Sequence, residues 1–190
     1  VIIKRTDTTS NWIFGTGARG FDKFLYFNTS DAETDNSGTF NDTAPSSSLI
    51  TLGSWNDVNN SSGTYIAYCF AEKKGFSKFG SYVGNGSVSG TFVYTGFKPA
   101  FLIQKRSDNS GANWNLYDNK RSTSGGSNVI DDLFYVDATN AEVSHTSVDF
   151  LSNGFKFRST DGAINVGTNI YMAFAEEPLV SSNGVPATAR

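Results

Sequence analysis

A motif near the start of this chain occurs a second time about a hundred residues further on. It combines two basic residues, an aspartate, an asparagine–tryptophan pair and an arginine; its copies are Lys4, Arg5, Asp7, Asn11, Trp12 and Arg19, and then Lys105, Arg106, Asp108, Asn113, Trp114 and Arg121. An apolar segment after the motif is repeated as well, since residues 66–72 align with residues 170–176. This spacing exceeds the roughly 20–50 residues of a solenoid or propeller repeat. The duplication predicts two related units, either small domains or halves of one pseudo-symmetric sandwich.

The duplication also predicts where the units begin and end. Residues 1–78 form the first unit, residues 79–178 the second, and residues 179–190 a carboxy-terminal arm. The first unit is incomplete at its start, because residues 76–100 of the second copy have no counterpart before Val1. We therefore expect the chain to be a fragment or a processed product of a longer protein.

The distribution of apolar and turn-forming residues predicts strands throughout. Short apolar runs rich in Val, Ile, Phe and Tyr alternate with clusters of Gly, Asn, Ser and Asp, which is typical of strands joined by turns, and helical periodicity is absent. We predict an all-β protein, an antiparallel β-sandwich of jelly-roll type built from two related repeat units. The expected strands cover residues 1–4, 12–14, 24–27, 49–52, 65–71, 81–83, 91–94, 101–105, 114–117, 133–136, 148–151, 155–158 and 170–175.

The last strand of each unit is predicted to be its core. Residues 65–71 and 170–175 are apolar at successive positions, as in a central strand covered on both faces. Phe70 and Phe174 are then expected to be buried. Cys69, which has no partner for an intrachain disulfide, is expected to be a small buried apolar residue.

Two long polar segments are expected to form exposed loops. Residues 31–48 and 122–129 contain almost no large apolar side chains, and loops of this kind commonly carry binding function. Oxygen-bearing residues at 31–35 and 159–162 lack the acidic spacing of an EF-hand, so solvated turns are the expected state there.

The composition argues against several classes of partner. The net charge is −3 and the 15 basic residues are spread along the chain, so no basic stripe is available for a nucleic-acid backbone. One cysteine and one histidine cannot form a Cys/His zinc site within a single chain. No apolar run reaches the roughly 18–20 residues of a membrane span. We expect no nucleic-acid partner, no membrane insertion, no metal and no cofactor.

The sequence offers little for catalysis. There is no Gly-x-Ser-x-Gly nucleophile motif, and His145 is expected in an exposed polar loop. Carboxylate pairs, such as Glu72 with Glu176 or Asp131 with Asp132, would serve a glycosidase only at a suitable separation, which a sequence does not provide. We predict a protein that is not an enzyme and has no catalytic residues.

The duplicated motif has a functional and a structural interpretation. In the first, Trp12 and Trp114 lie on loop rims with Asn11 and Asn113 and hold a sugar by stacking and amide hydrogen bonds. In the second, each arginine pairs with the nearby aspartate, and each indole packs over the sandwich with its N–H satisfied. We favour the structural interpretation, because a feature present in both copies more often belongs to the fold. Trp55 has no tryptophan at its counterpart and is the better candidate for an exposed binding aromatic.

Four longer sequence segments resemble segments of a known family. Residues 75–87, 92–106, 150–155 and 173–176, read together, resemble uncharacterised tail-fibre-like structural proteins of tailed bacteriophages, especially marine ones. The resemblance covers nearly the whole chain. It implies a role at the virion surface, as the distal part of a long fibre or as a head appendage, and it supplies no catalytic residues.

The resemblance and the composition lead to one expected function. We expect a non-enzymatic structural protein of a bacteriophage particle, a tail fibre, an appendage or a capsid-surface component, that mediates host attachment from the virion surface. Its expected partners are further copies of itself, other virion proteins and a host surface glycan. The main alternative is a lectin-like carbohydrate-binding module of a secreted bacterial protein, and a third candidate is a glycan-degrading tailspike domain.

Self-association is expected from the incomplete first unit. Without a counterpart of residues 76–100, the sheet that contains residues 1–4 would expose unpaired backbone groups, which soluble β proteins cover. A neighbouring subunit is the simplest cover, and residues 179–190 could add a strand across such an interface. We expect an oligomer that weakens when the chain is shortened at Glu177.

Overall fold

The computed structural model describes the chain except for residues 122–127, 177–178, 181–185 and 188–190. Every strand pair in the described residues is antiparallel, and the protein is all-β, as predicted. In chain order the elements are β1 (Ile2–Arg5), β2 (Trp12–Thr16), β3 (Gly20–Tyr26), β4 (Thr34–Asp35), α1 (Ser37–Phe40), β5 (Tyr65–Tyr68), β6 (Ser77–Asn85), β7 (Phe92–Tyr94), β8 (Phe101–Arg106), β9 (Asn115–Asp118), β10 (Val129–Tyr135), β11 (Val143–Leu151), β12 (Gly154–Phe157), β13 (Val166–Phe174), β14 (Leu179–Val180) and β15 (Pro186–Ala187).

Strands β1 to β5 form a five-stranded sheet in the order β4-β3-β2-β1-β5. The strand predicted at residues 49–52 is not formed, because these residues lie in an irregular segment whose Ile50 and Leu52 pack on the sheet without joining its ladder. The strand predicted at residues 65–71 is also shorter than expected and ends at Tyr68.

Strands β6 to β13 form an eight-stranded sheet in the order β6-β13-β8-β9-β10-β11-β12-β7. This sheet folds back on itself, since Tyr82 of β6 stacks on Phe157 of β12 with ring centroids 5.2 Å apart. Alternate residues of its strands, among them Leu102, Tyr117 and Phe155, fill one apolar cluster inside the fold. Each large apolar side chain buried there contributes about 1.5–3 kcal/mol to stability.

The five-stranded sheet packs face to face against the outer face of the eight-stranded sheet. Phe14 of β2 and Phe27, just after β3, contact the ring of Trp114 edge-on, with centroids 5.0 and 4.8 Å away. Ile2 and Ile103 belong to the same buried cluster. The protein is therefore a β-sandwich in its general architecture.

The other face of the five-stranded sheet is covered by the segment between β3 and β5. Its helix α1 begins after Asn36, whose Oδ1 accepts a hydrogen bond from the Gly38 N–H at 2.8 Å, and Phe40 of this helix is fully buried. The ring of Phe40 lies against Gly15, where a Cβ atom would be only 2.4 Å from Cε2. Residues 31–48, predicted to be an exposed loop, thus supply part of the core.

The second predicted loop can be described only at its end. Residues 122–127 lie outside the described part of the chain, and Val129 already belongs to β10.

The two copies of the duplicated motif occupy matching positions in their ladders. Ile2 of β1 faces Phe14 of β2 and Tyr68 of β5; the aligned residues in the second copy are Ile103 of β8, Leu116 of β9 and Met172 of β13. The two copies differ in the strands that lie beside the last strand of each. Strand β13 lies between β8 and β6, whereas β5 is at the edge of its sheet.

The expectation that the last strand of the first unit is core is wrong. Cys69 is exposed, and 44% of the surface of Phe70 is exposed. The matching strand β13 does carry core residues, because 2% of Ile170 and 5% of Met172 are exposed, and Phe174 is partly buried beside them. Similar apolar runs reach different environments because only β13 has a neighbour on each side.

Candidate functional site

Each copy of the duplicated motif contains an arginine–aspartate pair, as the structural interpretation expects. Arg5 Nε donates to Asp7 Oδ1, and Arg106 Nε donates to Asp108 Oδ1, both at 2.7 Å. The hydrogen bond from Arg5 lowers the pKa of Asp7 to about 2. Asp108 also accepts a hydrogen bond from the backbone N–H of Thr168 at 2.8 Å, which ties the turn after β8 to β13. These pairs fix the ends of the strands.

Trp114 is buried between the two sheets, with 1% of its surface exposed. Its Nε1 donates to the backbone carbonyl of Tyr26 at 2.9 Å, so the indole N–H is satisfied by the opposite sheet. The adjacent Asn113 is half-buried, and its carbonyl accepts a hydrogen bond from Asn115 Nδ2 at 3.3 Å. Trp114 therefore joins the sheets and has almost no surface for a ligand.

Trp12 is more accessible than its counterpart. It is half-buried, and its ring stacks on that of Tyr68 at a centroid distance of 6.2 Å. Asn28 holds the preceding turn, because its Oδ1 accepts from the Trp12 N–H at 2.8 Å and its Nδ2 donates to Asn11 Oδ1 at 3.0 Å. Trp12 thus presents part of its ring beside β5, and the amide of Asn11 is held by Asn28.

Trp55 packs on the opposite face of the five-stranded sheet from Trp12. It is half-buried, with its ring edge-on to Phe24 at 5.1 Å and tilted against Tyr26 at 6.2 Å. The structure does not bring the five residues predicted for binding into one site. They lie in three places: Trp55 in the covering layer, Trp12 with Asn11 beside β5, and Trp114 with Asn113 between the sheets.

Three exposed apolar side chains of the first unit form a row on and just after β5. The exposed fractions are 47% for Ile66, 45% for Tyr68 and 44% for Phe70. Phe70 still contacts the second unit, because its ring centroid is 6.1 Å from that of Phe174. The sequence signal that corresponds to this row is that residues 76–100, which include β6, the strand beside β13, align with no segment of residues 1–75.

A cavity of about 610 Å³ opens at the end of this row, between the two sheets. Its apolar lining includes Phe14, Phe70, Phe79 and Met172, and residues 46–48 contribute three serines to its rim. A cavity of this size and apolar character lies within the range of ligand and side-chain binding pockets. It extends the apolar surface of β5 into the space between the sheets.

Lys105 is a buried cation that links the two units. Its Nζ donates to the backbone carbonyls of Ser30, Arg106 and Ala112 at 3.3, 2.9 and 2.7 Å. Burial lowers the pKa of Lys105 to about 8, although the negative charge of Asp137 opposes this shift. Three carbonyl acceptors compensate the buried ammonium, so the residue has a structural role that sequence reasoning missed.

The remaining titratable candidates do not converge. His145 lies within β11 and not in a loop, and its buried Nδ1 has no hydrogen-bond partner in the described structure. Glu72 accepts from the backbone N–H of Phe79 at 3.1 Å, whereas Glu176 pairs with Lys120. Among the described residues no three His, Cys, Asp or Glu side chains are grouped to hold a metal ion, and no described helix has the length and apolar character to cross a membrane.

Comparison with known proteins places the chain in a family. A model described as a domain of unknown function, DUF7483, matches residues 1–178, a range that includes both copies of the duplicated motif. No curated protein and no solved structure matches the chain. The chain belongs to the DUF7483 family.

Proposed function

We propose that this chain is a non-enzymatic structural component of a bacteriophage particle, located at the virion surface in a tail fibre, an appendage or the capsid surface. The resemblance of its longer sequence segments to tail-fibre-like phage proteins supports this role. The observation that carries the proposal is the row of Ile66, Tyr68 and Phe70, each 44–47% exposed beside a strand edge that no described strand pairs with. Apolar side chains along such an edge mark a surface suited to a further strand, as in a protein that works by assembly.

The same proposal includes a duplicated architecture. We propose that residues 1–78 and 79–178 are two copies of one jelly-roll-like unit, followed by an arm at residues 179–190. The matching registers around Ile2 and Ile103 support this division, since duplicated ladders keep the same facing residues.

Homo-oligomers and contacts with other virion proteins are the proposed form of assembly. The edge available for it lies in the sheet that contains residues 1–4. Strand β1 is paired with β2 and with β5, and no described strand pairs with the outer edge of β5. Most of the arm lies outside the described residues. Within it, β14 pairs with β15, and addition of the arm to another subunit stays a prediction.

A host surface glycan is the proposed ligand for attachment. Trp12 supplies a partly exposed aromatic ring, and Asn11, the preceding residue, supplies an amide; these are the two groups that sugar binding uses. This surface also favours the lectin-like module as the second candidate function. A glycan-degrading tailspike domain is the third.

Microscopy of particles tests the proposed location. Antibodies raised against the purified chain, followed by gold labelling of phage particles, are expected to decorate a fibre, an appendage or the capsid surface. Antibody preadsorbed with the purified chain is the control. Unlabelled particles, with the chain recovered only from the culture medium, would contradict the virion role and favour the secreted lectin.

A glycan array with the purified chain separates binding from turnover. Attachment predicts retention on particular glycans without release of reducing sugar. A rise in reducing sugar from a bound glycan would support the tailspike alternative and contradict a non-enzymatic role.

A further inference from the structure

The unpaired edge of β5 has a filled counterpart within the same molecule. Strand β13, which aligns with β5, pairs with β6 along all nine of its residues, and its residues 169–174 pair with β8 on the other side. In the ladder with β6, Met172 faces Phe79, and both Ile170 and Met172 are buried. The aligned residues of β5, Ile66 and Tyr68, are 47% and 45% exposed. Side chains that a neighbouring strand covers in the second unit are therefore exposed in the first unit.

The backbone of β5 has hydrogen-bonding groups directed away from the sheet. The Thr6 N–H donates to the Thr64 carbonyl at 2.8 Å, which makes this facing pair a hydrogen-bonded one. Hydrogen-bonded and non-hydrogen-bonded pairs alternate along an antiparallel ladder, so the N–H and C=O groups of Tyr65 and Ala67 point away from β1. Among the described residues no strand pairs with these groups.

The ladder between β13 and β6 has the same alternation of hydrogen-bonded pairs as the ladder between β5 and β1 would have on its outer side. The Ala175 N–H donates to the Phe76 carbonyl at 2.8 Å, which directs the backbone groups of Tyr171 and Ala173 toward β6. Tyr171 aligns with Ala67, so the free edge of β5 offers donors and acceptors in the arrangement that β6 already binds on β13.

The free edge also lacks the features that protect exposed strands. Natural edges are blocked by charged residues, above all lysine, or by proline. Residues 64–71 contain neither a charged residue nor a proline. The edge is therefore suited to pairing with a further strand.

We propose that β5 binds an extended strand from outside residues 1–190, antiparallel to β5 and with the alternation of β6 (a β6-type strand). Such a strand places a large aromatic residue, as Phe79 does on β13, beside the exposed row of the first unit. A second copy of β5 is a poorer occupant, because its apolar residues are successive and not alternating. The inference names the partner of the assembly surface and in that respect rests on the proposed function. It assigns a β-strand addition site to the outer edge of β5.

A synthetic peptide with the sequence of residues 76–87 is the probe. Labelled with fluorescein and titrated with the full chain, it is expected to give saturable binding by fluorescence anisotropy. Ala67→Pro removes an outward N–H that the fold does not use, and a proline is tolerated at such an edge position. This variant is expected to bind the peptide at least about tenfold more weakly. Ile66→Lys, a charge at an exposed position, is a second variant expected to weaken binding.

Two N-methylated peptides provide a matched control for the ladder. Methylation of Lys78 and Gly80 removes the N–H groups that face β13 in the native ladder, and this peptide is expected to lose binding by about tenfold or more. Methylation of Phe79 and Ser81 changes N–H groups that face the other way, and this peptide is expected to bind with little change.

The results that would overturn the inference are distinct. Absence of saturable binding to the wild-type chain would overturn it, as would equal binding by the Ala67→Pro variant whose far-UV circular dichroism matches wild type. A concentration-dependent dimer abolished by Ala67→Pro, without peptide binding, would replace the β6-type strand by a second copy. Peptide binding by a chain that is absent from phage particles would support this site while removing the proposed virion role.

Discussion

Trp114 joins the two sheets of the sandwich, and its replacement isolates the energy of that contact. The Trp114→Ala variant loses a side chain that is 1% exposed, its edge contacts with Phe14 and Phe27, and its hydrogen bond to the Tyr26 carbonyl. Truncation of a buried tryptophan costs about 3–5 kcal/mol. The carbonyl left without its donor places the cost in the upper half of that range, so we expect the free energy of unfolding to fall by about 4–5 kcal/mol.

Two further variants separate the packing of Trp114 from its hydrogen bond. Trp114→Phe keeps an aromatic ring near Phe14 and Phe27 but leaves the Tyr26 carbonyl without a donor, and its expected cost is about 1–3 kcal/mol. Trp12→Ala truncates the aligned tryptophan of the first unit, which is only half-buried, and its expected cost is about 1–2 kcal/mol.

Urea titration followed by far-UV circular dichroism measures all four proteins on one scale. The slopes of unfolding free energy against urea should agree, so that differences in midpoint report stability. A cost for Trp114→Ala below about 1.5 kcal/mol, or one no larger than that of Trp12→Ala, would refute the conclusion that this contact joins the sheets.

Three further predictions concern single residues. Phe174→Ala should cost about 2–4 kcal/mol and Phe70→Ala less than about 1.5, because Phe174 is partly buried against the core whereas 44% of Phe70 is exposed; equal losses by urea titration would contradict this. Burial lowers the pKa of Lys105 to about 8, so between pH 8 and the usual lysine value of 10.5 the unfolded chain binds more protons and stability rises with pH. The Lys105→Met variant should lack this rise in titrations at each pH. Gly15→Ala should destabilise by about 1–3 kcal/mol, because its Cβ would clash with Phe40; an unchanged urea midpoint would refute this contact.

Much of the strand content is predictable from local pattern. Apolar runs between turn-forming clusters place β8, β12 and β13 within a few residues, because a strand that must bury one or both faces needs apolar side chains there. The arginine–aspartate pairs of the duplicated motif are likewise predictable, since the partners are two residues apart in the sequence.

The environment of a strand is not predictable in this way. Residues 65–71 and 170–175 are similar in sequence, yet Ile66 is 47% exposed and its counterpart Ile170 only 2%, because a local pattern does not report how many strands lie beside it. The polar segment at residues 31–48 contains a single aromatic residue, Phe40. It is buried because it packs against Gly15, which is distant in the sequence.

The candidate site depends on long-range contacts for the same reason. Trp12 and Trp114 both follow an asparagine in the duplicated motif, and their different exposure follows from their neighbours in space, Tyr68 for one and the opposite sheet for the other. The buried state of Lys105 depends on the Ser30 carbonyl of the first unit, which no spacing in the sequence indicates.

Residue-resolved hydrogen exchange on β5 tests the central claim most directly. If the outer edge is unpaired, the amides of Tyr65 and Ala67 exchange at rates near those of an exposed chain, while those of Ile66 and Tyr68, which face β1, are protected. Addition of the peptide with the sequence of residues 76–87 is expected to protect the first pair without changing the second. Strong protection of Tyr65 and Ala67 in the isolated chain at low concentration would contradict a free edge on β5.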